Sequence, residues 1–212
     1  MSQDICILDY GMGNLQSVAN AVGRLGYNPI VTFRRADIEK TTALIIPGVG
    51  AFGEAMKRLN NLRLIETLND RVTKHGVPVF GICLGMQMFA EQSSEGGHHE
   101  GLGWVQGKVE RIPTTPNAPD VRIPHVGWND LERRAGSVMF NNIDDDATFY
   151  FDHSFALTCD EAIVTATATY GHKIVSAIHH DNIMASQFHP EKSQNNGLRM
   201  LRNFLNFAES RA

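Results

Sequence analysis

At 212 residues, 42% hydrophobic and with a net charge of -4, the chain is long enough for one α/β domain over residues 1–212 with a full core, and its charge gives no reason to expect a nucleic-acid partner. No apolar run reaches the length of a membrane span, and the start Met1-Ser2-Gln3-Asp4 lacks the basic and apolar pattern of a leader. The three cysteines, Cys6, Cys83 and Cys159, form an odd set with no paired spacing, which argues against a disulfide framework and for a reducing, cytoplasmic setting.

Ile5-Cys6-Ile7-Leu8 is a continuous apolar run, as a strand buried on both faces requires. After a turn at 9–14, Leu15, Val18, Ala19, Val22 and Leu25 keep helical spacing, and Gly26 suits the C-terminal cap. Strands are predicted from Pro29 and over 43–46, the second ending in Pro47-Gly48-Val49-Gly50-Ala51-Phe52-Gly53. Leu64, Ile65, Leu68 and Val72 mark a helix closed by Gly76, and 77–82 is a fourth strand. This alternation predicts an α/β fold with a mostly parallel central sheet flanked by helices.

The pattern changes after Gln92. Residues 93–103 and 114–119 read as loops. Strands are expected over 148–155, 163–170, 173–179 and 183–188, the last three as an antiparallel meander that extends the same sheet. Leu198, Leu201, Phe204 and Leu205 form the apolar stripe of a closing helix.

Two stretches carry chemistry. In Val79-Phe80-Gly81-Ile82-Cys83-Leu84-Gly85-Met86-Gln87 an apolar strand runs through Gly-x-Cys-x-Gly into a helical pattern. Such an elbow projects a nucleophile above the sheet edge, its glycines make room for tight backbone, and the positive end of the next helix favours a thiolate. The N–H of Leu84, just past the cysteine, is placed to stabilise an oxyanion. In Gln187-Phe188-His189-Pro190-Glu191 a histidine at a strand end, with a carboxylate two residues on, supplies a base and its orienter. The plainer alternatives are a buried structural cysteine and a turn histidine beside a helix-start glutamate.

Other patterns weigh less. Gly48-Val49-Gly50-Ala51-Phe52-Gly53 is a literal Gly-x-Gly-x-x-Gly, but it follows the third strand, and Asp70 falls in a helical pattern rather than at a strand end. His98-His99 and His179-His180 lack ligand spacing, so neither a metal nor a cofactor is expected.

The two stretches resemble the signatures of class I (triad) glutamine amidotransferases. Asp9-Tyr10-Gly11-Met12-Gly13-Asn14-Leu15, Pro47 to Phe52, Pro124-His125-Val126-Gly127-Trp128-Asn129, Tyr150-Phe151-Asp152-His153-Ser154 and His189-Pro190-Glu191-Lys192-Ser193 further resemble the HisH-type glutaminase subunits of imidazole glycerol phosphate synthases, from end to end of the chain. The resemblance implies a flavodoxin-like amidotransferase fold and hydrolysis of L-glutamine. It also implies delivery of ammonia to a (β/α)8-barrel cyclase subunit in a heterodimer, which makes imidazole glycerol phosphate and aminoimidazole carboxamide ribotide in histidine biosynthesis. It assigns Cys83, His189 and Glu191 to catalysis. Leu84, Val49 and Gly50 go to the oxyanion hole, and Gly50, Gln87, His153, Ser154 and Phe155 to substrate binding. Lys192, Trp128, Tyr150 and Asn14 go to the partner interface. Three residues depart from the family pattern: Phe155 where tyrosine is common, Asp152 where an apolar residue is usual, and Ala185 where glycine is common. These keep open a paralogue feeding another acceptor, as in surface-sugar biosynthesis. Two further alternatives are a catalytically silent scaffold subunit, against which the intact Cys83, His189 and Glu191 argue, and a thiol hydrolase or peptidase on a similar fold.

Overall fold

The structure is a computed structural model that describes residues 4–114 and 121–211; Met1 to Gln3 and positions 115–119 of the second expected loop lie outside the described residues. In chain order the elements are β1 (Asp4–Leu8), α1 (Leu15–Arg24), β2 (Asn28–Thr32), α2 (Arg35–Ile38), β3 (Leu44–Gly48), α3 (Phe52–Asn61), α4 (Ile65–Asn69), β4 (Val79–Cys83) and α5 (Leu84–Met88). There follow β5 (Ala90–Ser93), β6 (His99–Glu100), β7 (Val105–Arg111), β8 (His125–Asn129), β9 (Glu132–Arg133), β10 (Phe149–His153) and β11 (Phe155–Cys159). The chain closes with β12 (Val164–Tyr170), β13 (His172–His180), β14 (Ile183–Ser186) and α6 (Gln194–Glu209).

The main sheet runs β2-β1-β3-β4-β14-β13-β12-β9. The contacts from β2 to β14 are parallel, and those among β14, β13, β12 and β9 are antiparallel. Successive strand residues face opposite layers. Ile5, Ile7, Phe80 and Ile82 pack with α1 and α6 on one face, where the Phe80 and Phe204 rings lie 5.2 Å apart. Cys6, Leu8, Ile46 and Val79 pack under α3, α4 and α5 on the other. Both faces are covered, which is why these strands read as unbroken apolar runs rather than alternating ones.

The C-terminal half departs from the simple extension expected of it. Among the described residues of this half, β9 and β12–β14 alone join the main sheet; β10 pairs with β8, and β11-β7-β5-β6 form a separate four-stranded sheet. The strand expected over 148–155 is cut at Ser154, so β10 and β11 serve different sheets. The loop expected over 93–103 holds the β5–β6 hairpin, in which Ser93 pairs with His99. Helix α3 follows directly on the glycine-rich turn, burying Phe52, Ala55 and Leu59.

Candidate active site

Cys83 is the last residue of β4 and caps α5, with φ 53° and ψ -107°. A non-glycine residue there is strained by roughly 1–3 kcal/mol, held in place by its surroundings. Those surroundings are crowded. A Cβ at Gly85 would strike the Ile46 carbonyl, and one at Gly81 would lie 2.7 Å from the Phe89 ring. Gly48 stands opposite Cys83 in the β3–β4 register, and a side chain there would collide with the Tyr10 hydroxyl. That hydroxyl donates to the Pro47 carbonyl at 2.8 Å, so Tyr10 braces the turn that carries Val49 and Gly50 past the cysteine. Gly50 sits at φ 107°, a conformation that glycine adopts without penalty.

His189 follows β14, the neighbour of β4, and so stands beside the elbow. Its Nδ1–H donates to Glu191 Oε1 at 2.8 Å, since a carboxylate only accepts; both side chains are 2% exposed. The histidine backbone is clamped to β10. Its N–H donates to the Tyr150 carbonyl at 2.9 Å, and the fully buried Ser193 hydroxyl donates to its carbonyl at 2.6 Å while accepting the Tyr150 N–H at 3.0 Å. Nε2 is buried without a hydrogen bond of full geometry, as is Glu191 Oε2, and the Cys83 side chain acts on the ring from that side. Burial opposes a charged ring here, but Cys83 and Glu191 outweigh it and raise the imidazole to about 10.

A cleft of about 350 Å³ opens over Cys83. The turn at Val49 and Gly50, Leu84 and Gln87 form one side, and residues 152–155 the other. Val49 is 42% exposed at its mouth. The Gln87 side chain is buried, and its Nε2 donates to the Phe155 carbonyl at 2.9 Å and to Gln187 Oε1 at 3.0 Å. The His153 ring is held inside the wall, with Nδ1 on the Phe155 carbonyl at 2.8 Å and Nε2 3.0 Å from His125 Nδ1. Burial pushes His153 down to about 3 and His125 down to about 4, so both rings are neutral.

Trp128 and Tyr150 face each other across β8 and β10, their rings edge-on at 6.1 Å, and Lys192 Nζ lies 5.4 Å over the Tyr150 ring. With Val126 (52% exposed) and Trp128 (47% exposed), they make one partly apolar surface. Asn14 is not among the residues that line the cleft; its side chain accepts the Ser17 N–H at the start of α1. A larger cleft of about 960 Å³, between β7 and β11 on one side and β9, β12 and β13 on the other, contains none of these residues.

Three residues at the site carry roles that sequence reasoning left unassigned. Glu95 lines the cleft, with Oε2 accepting the Phe52 N–H at 2.8 Å. Ser193 clamps His189, and Gln187 Nε2 lies 3.6 Å from Cys83 Sγ. The only local signals were Ser193 and Gln187 falling inside the histidine motif; nothing near Glu95 in the chain marks it.

The Glutamine amidotransferase class-I family matches residues 6–207. The chain is 45% identical over 201 residues to imidazole glycerol phosphate synthase subunit HisH 1 of Campylobacter jejuni, covering 95% of this chain and 98% of that protein. It is 44% identical over 206 residues to subunit HisH 2 of Vibrio vulnificus (97% and 95% covered). It is 45% identical over 202 residues to subunit HisH of Bdellovibrio bacteriovorus (94% and 98%). Among solved structures it resembles a glutamine amidotransferase at a TM-score of 0.74 and 22% identity, covering 97% of this chain and 98% of that one. It also resembles PurLQS from Thermotoga maritima at a TM-score of 0.72 and 14% identity (98% and 99%). These two likenesses speak for the fold.

Proposed function

The chain belongs to the class I glutamine amidotransferases and, within them, to the HisH family, and on that premise we propose the mechanism by which it hydrolyses L-glutamine and the partner to which the ammonia goes. His189 Nε2 takes up the Cys83 thiol proton as the sulfur attacks the side-chain amide carbon of glutamine. The developing oxyanion is met by the N–H groups of Leu84 and Val49, with Gly50 allowing the turn to present its peptide; one such donor contributes roughly 3 kcal/mol. The imidazolium of His189 gives its Nε2 proton to the departing ammonia as the carbon–nitrogen bond breaks, leaving a thioester. His189, now neutral, takes a proton from water as the water oxygen attacks the thioester. The sulfur leaves and glutamate is released. Glu191 holds the ring through Nδ1–H in every step.

Glutamine is held by Gln87, Gly50 and the 153–155 segment. Because the His153 ring nitrogens are engaged by the Phe155 carbonyl and His125, we assign this segment's part to its backbone and Ser154. The Glu95 carboxylate supplies the negative charge that an α-ammonium group requires. Ammonia passes to a (β/α)8-barrel cyclase in a cytoplasmic heterodimer, across the face formed by Trp128, Tyr150 and Lys192, with Asn14 at its margin. The observation that supports this most is the strained Cys83 elbow beside a buried His189–Glu191 pair at 2.8 Å, over a cleft of amino-acid size.

A second reading of the acceptor rests on Asp152 and Phe155 at the cleft: the same glutaminase serving a different barrel. Incubation with the cyclase and its nucleotide substrate decides between them. Glutamine-dependent ring closure is expected. It should vanish in Cys83→Ala, by at least about 10³-fold, while activity with ammonium salt survives. Glutamate release by Cys83→Ala at the native rate overturns the mechanism; glutamate release without ring closure moves the chain to the second acceptor.

A further inference from the structure

The sulfur has a neighbour that the mechanism above leaves idle. Gln187 is fully buried, and its Nε2 lies 3.6 Å from Cys83 Sγ, within the range of an N–H···S hydrogen bond. Which end of a side-chain amide faces a neighbour is decided by its hydrogen-bond network, and here the network leaves one solution. The Phe155 carbonyl can only accept, so it receives Nε2–H of Gln87 at 2.9 Å. The same amide nitrogen then donates to Gln187 Oε1 at 3.0 Å. With its oxygen so engaged, Gln187 has only its N–H₂ end to present to the sulfur.

The Phe155 carbonyl orders a second branch in the same way. It accepts Nδ1–H of His153, leaving His153 Nε2 to accept from His125 Nδ1–H at 3.0 Å, and His125 Nε2 to accept from Asn129 at 3.4 Å. Stacking between Phe151 and Tyr170, at 4.6 and 4.0 Å, holds the His125 ring in plane. One backbone oxygen thus sets the polarity of every side chain in the network.

We propose that Gln187 is a positioning residue for the nucleophile: its amide N–H, aimed by Gln87 and the Phe155 carbonyl, holds the Cys83 sulfur and favours its anionic form. Among the other groups around the sulfur, the Asp152 carbonyl, 3.9 Å away, can only accept from a thiol. Tyr10 has its hydroxyl proton on Pro47, and His189 supplies the charge. Gln187 is therefore the neutral donor that stays beside the sulfur at every stage, whether or not His189 carries its proton. The inference rests on Cys83 being the nucleophile, but its test does not require glutamine.

The test is the pH profile of Cys83 alkylation by iodoacetamide, read by mass spectrometry on the full chain. In Gln187→Met, which keeps the volume and removes the amide, the profile is expected to move to higher pH. The rate at neutral pH should fall about tenfold, the loss of one hydrogen bond to a charged group. With glutamine, kcat should fall by a similar factor while KM changes less than about twofold, because Gln187 has no surface in the cleft. Gln87→Met, which frees Gln187 to turn, is the second variant; its profile should move the same way by less. An unchanged profile in the folded variants, with only a lower melting temperature, overturns the proposal. Normal alkylation shifts without any glutaminase activity in the native chain would instead overturn the reading on which it rests.

Discussion

His189 on one hand and His153 with His125 on the other are all hidden from water, yet they are driven in opposite directions. His189 is driven up to about 10, whereas His153 and His125 are driven down to about 3 and 4. Burial opposes the charged form in all three. The difference lies in the partners. His189 donates to a carboxylate and faces a sulfur, two groups that reward a proton. His153 has a carbonyl on one nitrogen and a neutral ring on the other, and that chain of single protons has no place for an extra one. Burial therefore does not by itself decide what a histidine does; the first hydrogen-bonding atom on each ring nitrogen does. One side of the cleft is built for proton transfer and the other for holding shape.

The largest expected effect comes from making the two sides alike. Glu191→Gln keeps the shape of the orienter and removes its charge, turning the setting of His189 toward that of His153. Glutamate release should fall by about 10² to 10³-fold, within the range of a general acid–base contribution. A loss under about tenfold would mean that the carboxylate merely fills space.

A smaller effect is expected on stability, with opposite signs for the two groups. His153 and His125 have folded values below the ordinary 6.5, so the unfolded chain binds protons that the folded one refuses. The stability these rings contribute is present above about pH 6.5 and is lost as pH falls through about 4 and 3, by up to about 1.4 kcal/mol per pH unit for each ring. His189 runs the other way: its contribution is full below 6.5 and is lost as pH rises through about 10. Urea unfolding of native chain and His125→Gln between about pH 7 and 4 checks the first limb. The variant should show the shallower decline, and equal slopes would contradict the neutral-pair description.

Much of this was legible in the chain because the key residues announce themselves locally. Gly81-Ile82-Cys83-Leu84-Gly85 and Gln187-Phe188-His189-Pro190-Glu191 each hold a reactive group and its immediate support within five positions, and the apolar runs of β1, β3 and β4 are those of strands covered on both sides. What stayed hidden depends on distant pairing. Nothing in 148–155 says that the chain changes sheets at Ser154, because that choice is made by β7 and β8. Helix α3 does carry its signal in Phe52, Ala55 and Leu59, but the glycines around it read as a turn. Glu95 sits in a polar stretch and becomes part of the cleft only because the β5–β6 hairpin folds toward α3. Gln187 lies inside a motif, yet its contact with Cys83 spans 104 positions, and no local pattern aims an amide.

The contrast between the two groups of histidines can be read directly from imidazole nitrogen resonances in the uniformly labelled chain, titrated from about pH 5 to about pH 8. His189 is expected to keep the signature of a doubly protonated ring across this range, while His153 and His125 keep that of neutral rings. A His189 that titrates near 6.5 alongside the others would contradict it.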